Sequence, residues 1–321
     1  MKTDRPWIVG GVLCVLAAGG FWVWIANVGG SSSDATQAKP ARANVSAAVE
    51  PRGVVSPSIQ STPLKNEALV AGKLTLVAEF NNSSNYRHFV EQAKQRPREG
   101  GYYYAYRALR YCRLYSGSVA KSVSATDSNE SHAQAHRRQQ LLNEQMQACS
   151  GLLAGEIDDA YSSAFHERGV TAGDPLLAAE ARLLNARTAK SPNLAERTAA
   201  VAEVLQLRDA TLLHNAGKSL SQYRKQDNAY FFDGKWYAGK DEEILSAAWL
   251  LVPCSFGWEC GRNDVDVKTA CALQGMCMKD RNELVLKAVL NGDQKSMAAA
   301  TRLSKELVSA VSEGRVKAFM P

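Results

Sequence analysis

The sequence lacks a large excess of charge of one sign, although its formal net charge is +6. In residues 67–321, 32 basic residues stand against 29 acidic ones. The excess is spread thinly, and no stripe of lysine and arginine offers a binding track for a phosphate backbone. The charge pattern therefore gives no support for a nucleic-acid partner.

The motifs of several enzyme classes are also missing. There is no glycine-rich phosphate loop, no serine nucleophile elbow and no C-x-x-C pair. His166 lacks the second histidine of a zinc-protease helix, and Asp264 and Asp266 lack the remaining ligands of a calcium loop. The catalytic residues are therefore unknown, no metal or cofactor is predicted, and binding is favoured over catalysis.

Charge is absent from residues 7–28 as well. As a helix rising ~1.5 Å per residue, this run is long enough to cross a hydrocarbon core of ~30 Å. Arg5 precedes the run, and Trp7 and Trp24 stand near its two ends, where aromatic rings prefer the membrane interface. We expect residues 1–28 to be a single-pass anchor in the bacterial inner membrane, with a cytoplasmic N-terminus and the bulk of the chain in the periplasm.

A cleaved signal peptide is the alternative, because small residues occupy positions 17–20. It would leave a soluble periplasmic protein. Lipidation at Cys14 is a further alternative, although Leu13 stands where a small residue is preferred. The apolar run continues through Trp24 and Ile25, which favours the uncleaved anchor. Each alternative exports the rest of the chain.

Two segments follow the predicted anchor. Residues 29–66 contain four prolines and no aromatic residue, which indicates a flexible linker rich in proline, serine and alanine. Residues 67–321 carry repeated helix-start signals, such as the capping Asp174 before Pro175 and the capping Asp293. No fixed repeat period is present. We therefore predict an all-α periplasmic domain, an irregular helical bundle or an array of helical hairpins.

One segment interrupts the helical pattern. Asp233 and Gly234 form the dipeptide that a type I′ turn favours, and aromatic strand formers flank them. We predict a short β-hairpin at residues 230–237 that packs Phe231 or Phe232, together with Trp236, on the helical core.

Six of the seven cysteines lie in the exported part of the chain. The last four are spaced C-x5-C-x10-C-x5-C, without the close pairs that zinc knuckles use. In an oxidising compartment, an even number of cysteines favours disulfides. A helix capped by Asn263 would carry Cys271 back alongside Cys254. The predicted pairs are Cys112 with Cys149, which joins helices near 100–115 and 132–149, Cys254 with Cys271, and Cys260 with Cys277.

A Tyr-rich helix from Tyr102 to Cys112 precedes the cysteine cluster, whose pattern is Cys254-x-x-Gly257-x-x-Cys260-Gly261 followed by Cys271-x3-Gly275-x-Cys277. This combination resembles the C-terminal part of uncharacterised exported helical proteins of proteobacteria. The likeness covers about a third of the chain. That family has no assigned activity, so the resemblance implies an envelope protein with disulfides and transfers no catalytic residue.

The Tyr-rich helix also supplies the candidate binding surface. Its tyrosines cannot share one helical face, since Tyr104, Tyr111 and Tyr115 fall together and the others point elsewhere. Exposed tyrosines beside arginines are suited to stacking on sugars or gripping an acidic peptide. The structural alternative is rings packed among helices. The residues of the candidate surface are Tyr102, Tyr103, Tyr106, Arg107, Arg110 and Arg113.

Two other polar groups have simpler interpretations. His132 and His136 share a helical face, but no third metal ligand stands near them, so a solvated face is expected. Glu156, Asp158 and Asp159 form an acidic opening to a helix, which favours capping over a hydrolase pair.

The combined expectation is a membrane-anchored periplasmic binding or scaffold protein of the bacterial envelope. Its expected partners are the inner membrane, through residues 7–28, and an envelope protein or a cell-wall glycan. One alternative is a hydrolase of a peptidoglycan-type polymer that uses carboxylates from separate helices. Another is a structural subunit of an envelope assembly.

Overall fold

The computed structural model describes residues 75–116, 131–188, 193–223 and 229–321. These residues are mainly helical, with three disulfides and one short antiparallel sheet, so the predicted fold class is confirmed. The helices in chain order are α1 (75–81), α2 (Tyr86–Ala93), α3 (Gly101–Leu114), α4 (His132–Cys149), α5 (Asp159–Thr171), α6 (Pro175–Thr188), α7 (Leu194–Leu207), α8 (Ala210–Ser221), α9 (Lys240–Leu251), α10 (Val265–Gln274), α11 (Arg281–Leu284) and α12 (Gln294–Ser312). The strands are β1 (Tyr230–Phe232) and β2 (Lys235–Tyr237).

The predicted anchor and linker, residues 1–28 and 29–66, lie outside the described residues, and their boundaries stay predictions. The described residues all belong to one compact unit, Pro63–Pro321. Among the helices of the four described ranges, none combines the length and the apolar composition that a membrane span needs.

The helix starts follow from capping side chains. Helix α6 begins at Pro175, and the Asp174 carboxylate accepts hydrogen bonds from the backbone N–H groups of Leu176 at 2.9 Å and Leu177 at 3.1 Å. The Asp293 side chain caps α12 in the same way. Both predicted helix starts are therefore confirmed.

The predicted hairpin is present, but one of its aromatic side chains is not in the core. Asp233 has φ 48° and Gly234 has φ 80°, the pair of positive values that a type I′ turn requires. Phe232 is buried, whereas Trp236 is 38% exposed, so its predicted core position is wrong. Trp236 lies opposite Phe231 in the register and packs against that ring at 5.2 Å, which covers Phe231 and leaves the indole at the surface.

Helix α3 lies at the centre of the helical packing. Helix α2 runs along it, α5 packs on another side, and α4 and α6 also contact it. The close approach of α5 depends on Gly169, where an added Cβ would lie 2.7 Å from Tyr102 Cβ and 2.3 Å from Leu177 Cδ1. Elsewhere α6 packs along α7, α9 along α12, and α4 along α10. Most of α3 is therefore covered by other helices.

All six predicted cysteines form disulfides, but the pairing within the C-terminal cluster differs from the prediction. Cys112 pairs with Cys149 and joins α3 to α4 as predicted. The predicted cross-pairs of the last four cysteines are wrong. The structure instead joins Cys254 to Cys260 and Cys271 to Cys277, each across a sequence separation of 6.

The backbone explains the local pairing. Gly257 has φ 97° and Gly275 has φ 71°, so each span contains a glycine that turns the chain back toward its first cysteine. The side chain that caps α10 belongs to Asp264 and not to the predicted Asn263. Cys271 lies roughly 9 Å along the helix axis from the start of α10, at ~1.5 Å per residue. The loop closed by Cys254 and Cys260 is therefore separated from the loop closed by Cys271 and Cys277.

Candidate functional site

The candidate binding surface on α3 divides between buried and exposed positions. Tyr103 is 0% exposed, so its predicted place on an accessible surface is wrong. The reason is that the helices packed on α3 cover this ring. Tyr102 is half-buried with its ring 5.1 Å from that of Phe165, while Arg113 is exposed and pairs with Asp159.

Arg107 holds α3 against α6 and α8. Its guanidinium forms a salt bridge with Glu180, lies 4.9 Å from the centre of the Tyr103 ring and donates to the Tyr103 hydroxyl at 3.3 Å. That hydroxyl donates in turn to the carbonyl oxygen of Thr211 at 3.2 Å. Burial works to lower the pKa of Arg107, but the Glu180 carboxylate raises it overall. The charge of Arg107 is therefore compensated inside the protein.

The accessible remainder of the predicted surface centres on Tyr106. Its half-buried ring meets the His166 ring edge-on at 5.4 Å, and its hydroxyl accepts a hydrogen bond from Arg110 at 3.2 Å. Burial lowers the pKa of His166. Within the described ranges, Arg110 has no carboxylate partner. Binding of a partner at Tyr102, Tyr106 and Arg110 stays a prediction.

The other polar candidates serve capping or solvation. His132 and His136 are both exposed on α4. Across the described part of the chain, no three side chains of His, Cys, Asp or Glu lie close enough together to hold a metal ion. Asp158 caps α5 by accepting a backbone hydrogen bond at 2.7 Å, as the acidic pattern predicted. Glu156 forms a salt bridge with Arg87.

A buried charge cluster explains the aspartates that resembled a calcium loop. Arg281 is 1% exposed and donates two hydrogen bonds to Asp264, from Nε at 2.5 Å and from Nη2 at 2.9 Å. Its Nη2 also donates to Asp266 at 2.7 Å, and its Nη1 donates to the carbonyl oxygen of Leu250 at 3.2 Å. One guanidinium thus joins α9, α10 and α11.

His214 of α8 completes this cluster. Its Nδ1 lies 3.4 Å from Arg281 Nη1, which can only donate, so the neutral ring carries its hydrogen on Nε2, 3.1 Å from Asp266 Oδ2. The ring stacks on Trp258 at 4.7 Å. Burial lowers the pKa of His214 to about 4, since the opposing attraction of Asp266 is weaker and the charges of Arg281 and Arg107 add to the lowering. The charged groups of this cluster are therefore paired with one another.

A polar groove lies on the other side of the start of α10, between the α1–α2 loop and α4, with a volume of about 470 Å³. Neutral hydrogen-bonding side chains dominate its walls, and we call it the amide groove. Its lining residues are Asn81, Asn82, Ser83, Ser84 and Tyr86 from the first segment, Glu144, Gln145, Gln147 and Ala148 from α4, and Asn263, Val265 and Lys268 around the start of α10.

Some groove side chains are engaged within the protein. The Gln145 side chain accepts a hydrogen bond from the Tyr111 hydroxyl at 2.6 Å, and Asn82 donates to the carbonyl oxygen of Ala78 at 2.9 Å. The Glu144 carboxylate accepts from Gln140, on the same helix, at 2.9 Å. These contacts fix the walls of the groove.

Other groove side chains are unengaged. Among the described residues, the side chains of Ser84, Gln147, Asn263 and Lys268 make no hydrogen bond or ion pair. Asn81 Oδ1 is buried without a donor. A buried unpaired acceptor is unfavourable, and a ligand or ordered water that supplies a donor relieves it. The groove therefore presents hydrogen-bonding groups that a ligand could engage.

The sequence indicated neither the charge cluster nor the groove. His214 directly follows two buried leucines, a position at which a histidine needs a polar partner, and this signal was available for the cluster beside the spacing of Asp264 and Asp266. The groove combines three segments far apart in the chain, for which no local pattern exists.

Comparison of the chain with protein-family models, with curated proteins and with solved structures finds no match.

Proposed function

We propose that this protein is a membrane-anchored periplasmic binding protein of the bacterial envelope, whose disulfide-stapled helical domain holds a polar chain in the amide groove. The observation that carries the proposal is the set of unengaged amide and hydroxyl groups in one groove. Binding sites fix their ligands by a small number of well-placed polar groups. Gln147 and Asn263 supply such groups from two different segments.

The disulfides support the exported location. Three disulfides in one domain are typical of oxidising compartments and rare in the cytosol of mesophiles. The apolar run at residues 7–28 supplies the expected means of export and of attachment to the inner membrane. A linker at residues 29–66 would let the domain reach partners in the envelope.

Two carboxyl groups with raised pKa values bear on the alternative of a polymer hydrolase. Burial raises the pKa of Asp174 to about 6 and also raises that of Asp264. Both carboxylates are buried helix caps whose oxygens are engaged, Asp174 by backbone N–H groups and Asp264 by Arg281. A glycosidase needs its two carboxyl groups on either side of a bound sugar. These two residues give the hydrolase no specific support.

Binding by the groove is tested on the full-length protein in mild detergent with its disulfides intact. The probes are a blocked pentapeptide with glutamine at both ends and alanine between, and chitotetraose as a glycan. We expect calorimetry to detect one probe, and Gln147→Ala or Asn263→Ala to weaken it by roughly twofold to tenfold, because each removes a hydrogen bond.

The matched controls are Gln139→Ala, on α4 but outside the groove, and Asn282→Ala, at an exposed position of α11. Both should leave the affinity unchanged. Binding of neither probe at about 10 mM, or equal effects of groove and control substitutions, would contradict the proposal.

Export is tested by counting thiols. Cys14 is the one cysteine outside the disulfides, so maleimide labelling of the denatured, unreduced chain should find one thiol if the anchor is retained. Cleavage of the segment or lipidation of Cys14 would give none. Several free thiols, together with a cytosolic location in fractionation, would refute the exported location.

A further inference from the structure

We infer that the ligand of the amide groove is a peptide segment that carries one ammonium and one carboxylate group, bound by Glu144 and Lys268. This inference rests on the proposed function, because it names the ligand class of the same groove. It depends on the hydrogen-bonding groups of the groove walls, on the burial of the aromatic ring among the lining residues and on the lack of ionic partners for the two charged side chains.

The neutral groups of the groove match a peptide main chain. A peptide unit offers one N–H donor and one C=O acceptor, and a carboxamide side chain offers both complementary groups. Gln147 and Asn263 present unengaged carboxamides on two different segments. Asn81 Oδ1 adds an acceptor that has no donor among the described residues. A main chain can supply both kinds of group to these side chains.

The aromatic ring of the groove is not available for a sugar. Glycan sites commonly cover the apolar face of a sugar with an aromatic ring. Tyr86 is the aromatic residue among the lining residues, but it is 1% exposed. Its ring packs at 5.3 Å on Tyr111 and 5.9 Å on Phe80, and its hydroxyl donates to the carbonyl oxygen of Phe80. Without a stacking surface, the groove favours a peptide.

The two charged side chains of the groove have no ionic partners. Within the described ranges, Glu144 accepts only the hydrogen bond from Gln140, and the Lys268 side chain forms no hydrogen bond or ion pair. Several charges elsewhere in this domain form ion pairs, such as Lys240 with Asp293 at 2.9 Å. Glu144 stands on α4 and Lys268 on α10, the two helices that border the groove. A ligand with both charges would complete two ion pairs at once.

The test adds a third probe to the two already described. It is a blocked pentapeptide with lysine at one end, glutamate at the other and alanine between. We expect the full-length protein to bind this charged probe roughly threefold to tenfold more tightly than the glutamine probe, because exposed ion pairs are individually weak.

Charge reversal then tests the residues. Glu144→Lys and Lys268→Glu should each remove the preference for the charged probe over the glutamine probe. The double reversal should restore the preference, because the peptide can bind in the opposite direction. The matched control is the pair Lys305→Glu and Glu306→Lys, two exposed residues of α12, which should change nothing.

The outcomes separate the inference from the proposed function. Equal affinity for the charged and the glutamine probes, with Gln147→Ala still weakening both, would overturn the inference and leave the proposed function standing. Binding of chitotetraose alone, weakened by Gln147→Ala, would do the same. No effect of any groove substitution on any probe would overturn both.

Discussion

The start of α10 faces two different environments. Asp264 and Asp266 belong to the closed charge cluster, whereas Asn263 and Lys268 line the amide groove. On one side every charge has a partner, and on the other side polar groups are left unengaged. The comparison teaches that polarity alone does not indicate a binding site in this domain. Whether the hydrogen-bonding groups are satisfied within the protein is the better guide.

The largest expected effect is on the cluster side. Arg281→Met should lower the free energy of unfolding by about 3–5 kcal/mol, because it leaves the fully buried Asp264 without its partner. Denaturant unfolding of the full-length protein measures this. The control is Arg262→Met, at an exposed position two residues before Asp264, which should stay within about 0.5 kcal/mol of the parent. Equal losses in the two variants would show that the cluster does not stabilise the fold.

The second effect is a pH dependence that belongs to His214. Its folded pKa of about 4 lies below the ordinary value of about 6.5. Between these two pH values His214 is protonated in the unfolded chain and neutral in the folded protein. The stability of the parent should therefore fall, relative to His214→Gln, as pH drops from about 6.5 to 4, by roughly 3 kcal/mol. Denaturant unfolding of both proteins across this range measures the difference.

The comparison with His214→Gln also removes other titrations. Asp174 has a raised pKa of about 6, so its contribution to stability falls as pH rises through the same window, with the opposite sign. It is present in both proteins and cancels. His214 and Arg281 hold the pKa of Asp266 below its usual value, against the effect of burial. The contribution of Asp266 to the stability of the protein is therefore lost only at more acidic pH. Parallel pH curves for parent and variant would refute a buried neutral His214.

A smaller effect is expected from the short disulfide beside the cluster. Cys260 accepts a backbone hydrogen bond from Arg281 at 2.9 Å, so the loop closed by Cys254 and Cys260 supports the cluster. Replacing both cysteines with serine should lower the free energy of unfolding by about 2 kcal/mol, as expected for a short loop. Amide exchange at Trp258 should rise, while the affinity of the groove for its probe stays constant. A loss of affinity would mean that the two sides of α10 are coupled.

The smallest effect on stability is expected in the groove. Asn263→Ala should change the free energy of unfolding by less than about 0.5 kcal/mol, because the exposed side chain makes no hydrogen bond within the described residues. Replacing its neighbour Asp264 with alanine should cost several times more, since it removes a helix cap and a buried ion pair. Thermal and denaturant unfolding of the two variants, compared side by side, measure the contrast. Similar losses of unfolding free energy in the two variants would contradict the distinction between the cluster side and the groove side of α10.

Local chemistry made much of the fold predictable. The capping of α6 by Asp174 and the turn at Asp233 and Gly234 depend on residues adjacent in sequence, and both predictions are confirmed. The predicted pairing of the last four cysteines was wrong because two glycines with positive φ, Gly257 and Gly275, determine which cysteines meet. The pattern contained these glycines, but their backbone conformation could not be read from it.

The candidate site was far less predictable. Arg281 stands 17 residues from Asp264 and 67 from His214, so no spacing links the cluster. Tyr103 was placed on an exposed surface because helical periodicity shows which residues share a face but not how many faces neighbouring helices cover. Only the packing of α3 decides that number.

Hydrogen exchange of the full-length protein with and without the charged pentapeptide tests the central claim most directly. We predict that the peptide protects amides in residues 81–86, 144–148 and 263–268 and leaves residues 102–113 of the tyrosine-rich helix unchanged. Protection confined to residues 102–113 would contradict the account, because it would place the ligand on the tyrosine and arginine face and not in the amide groove.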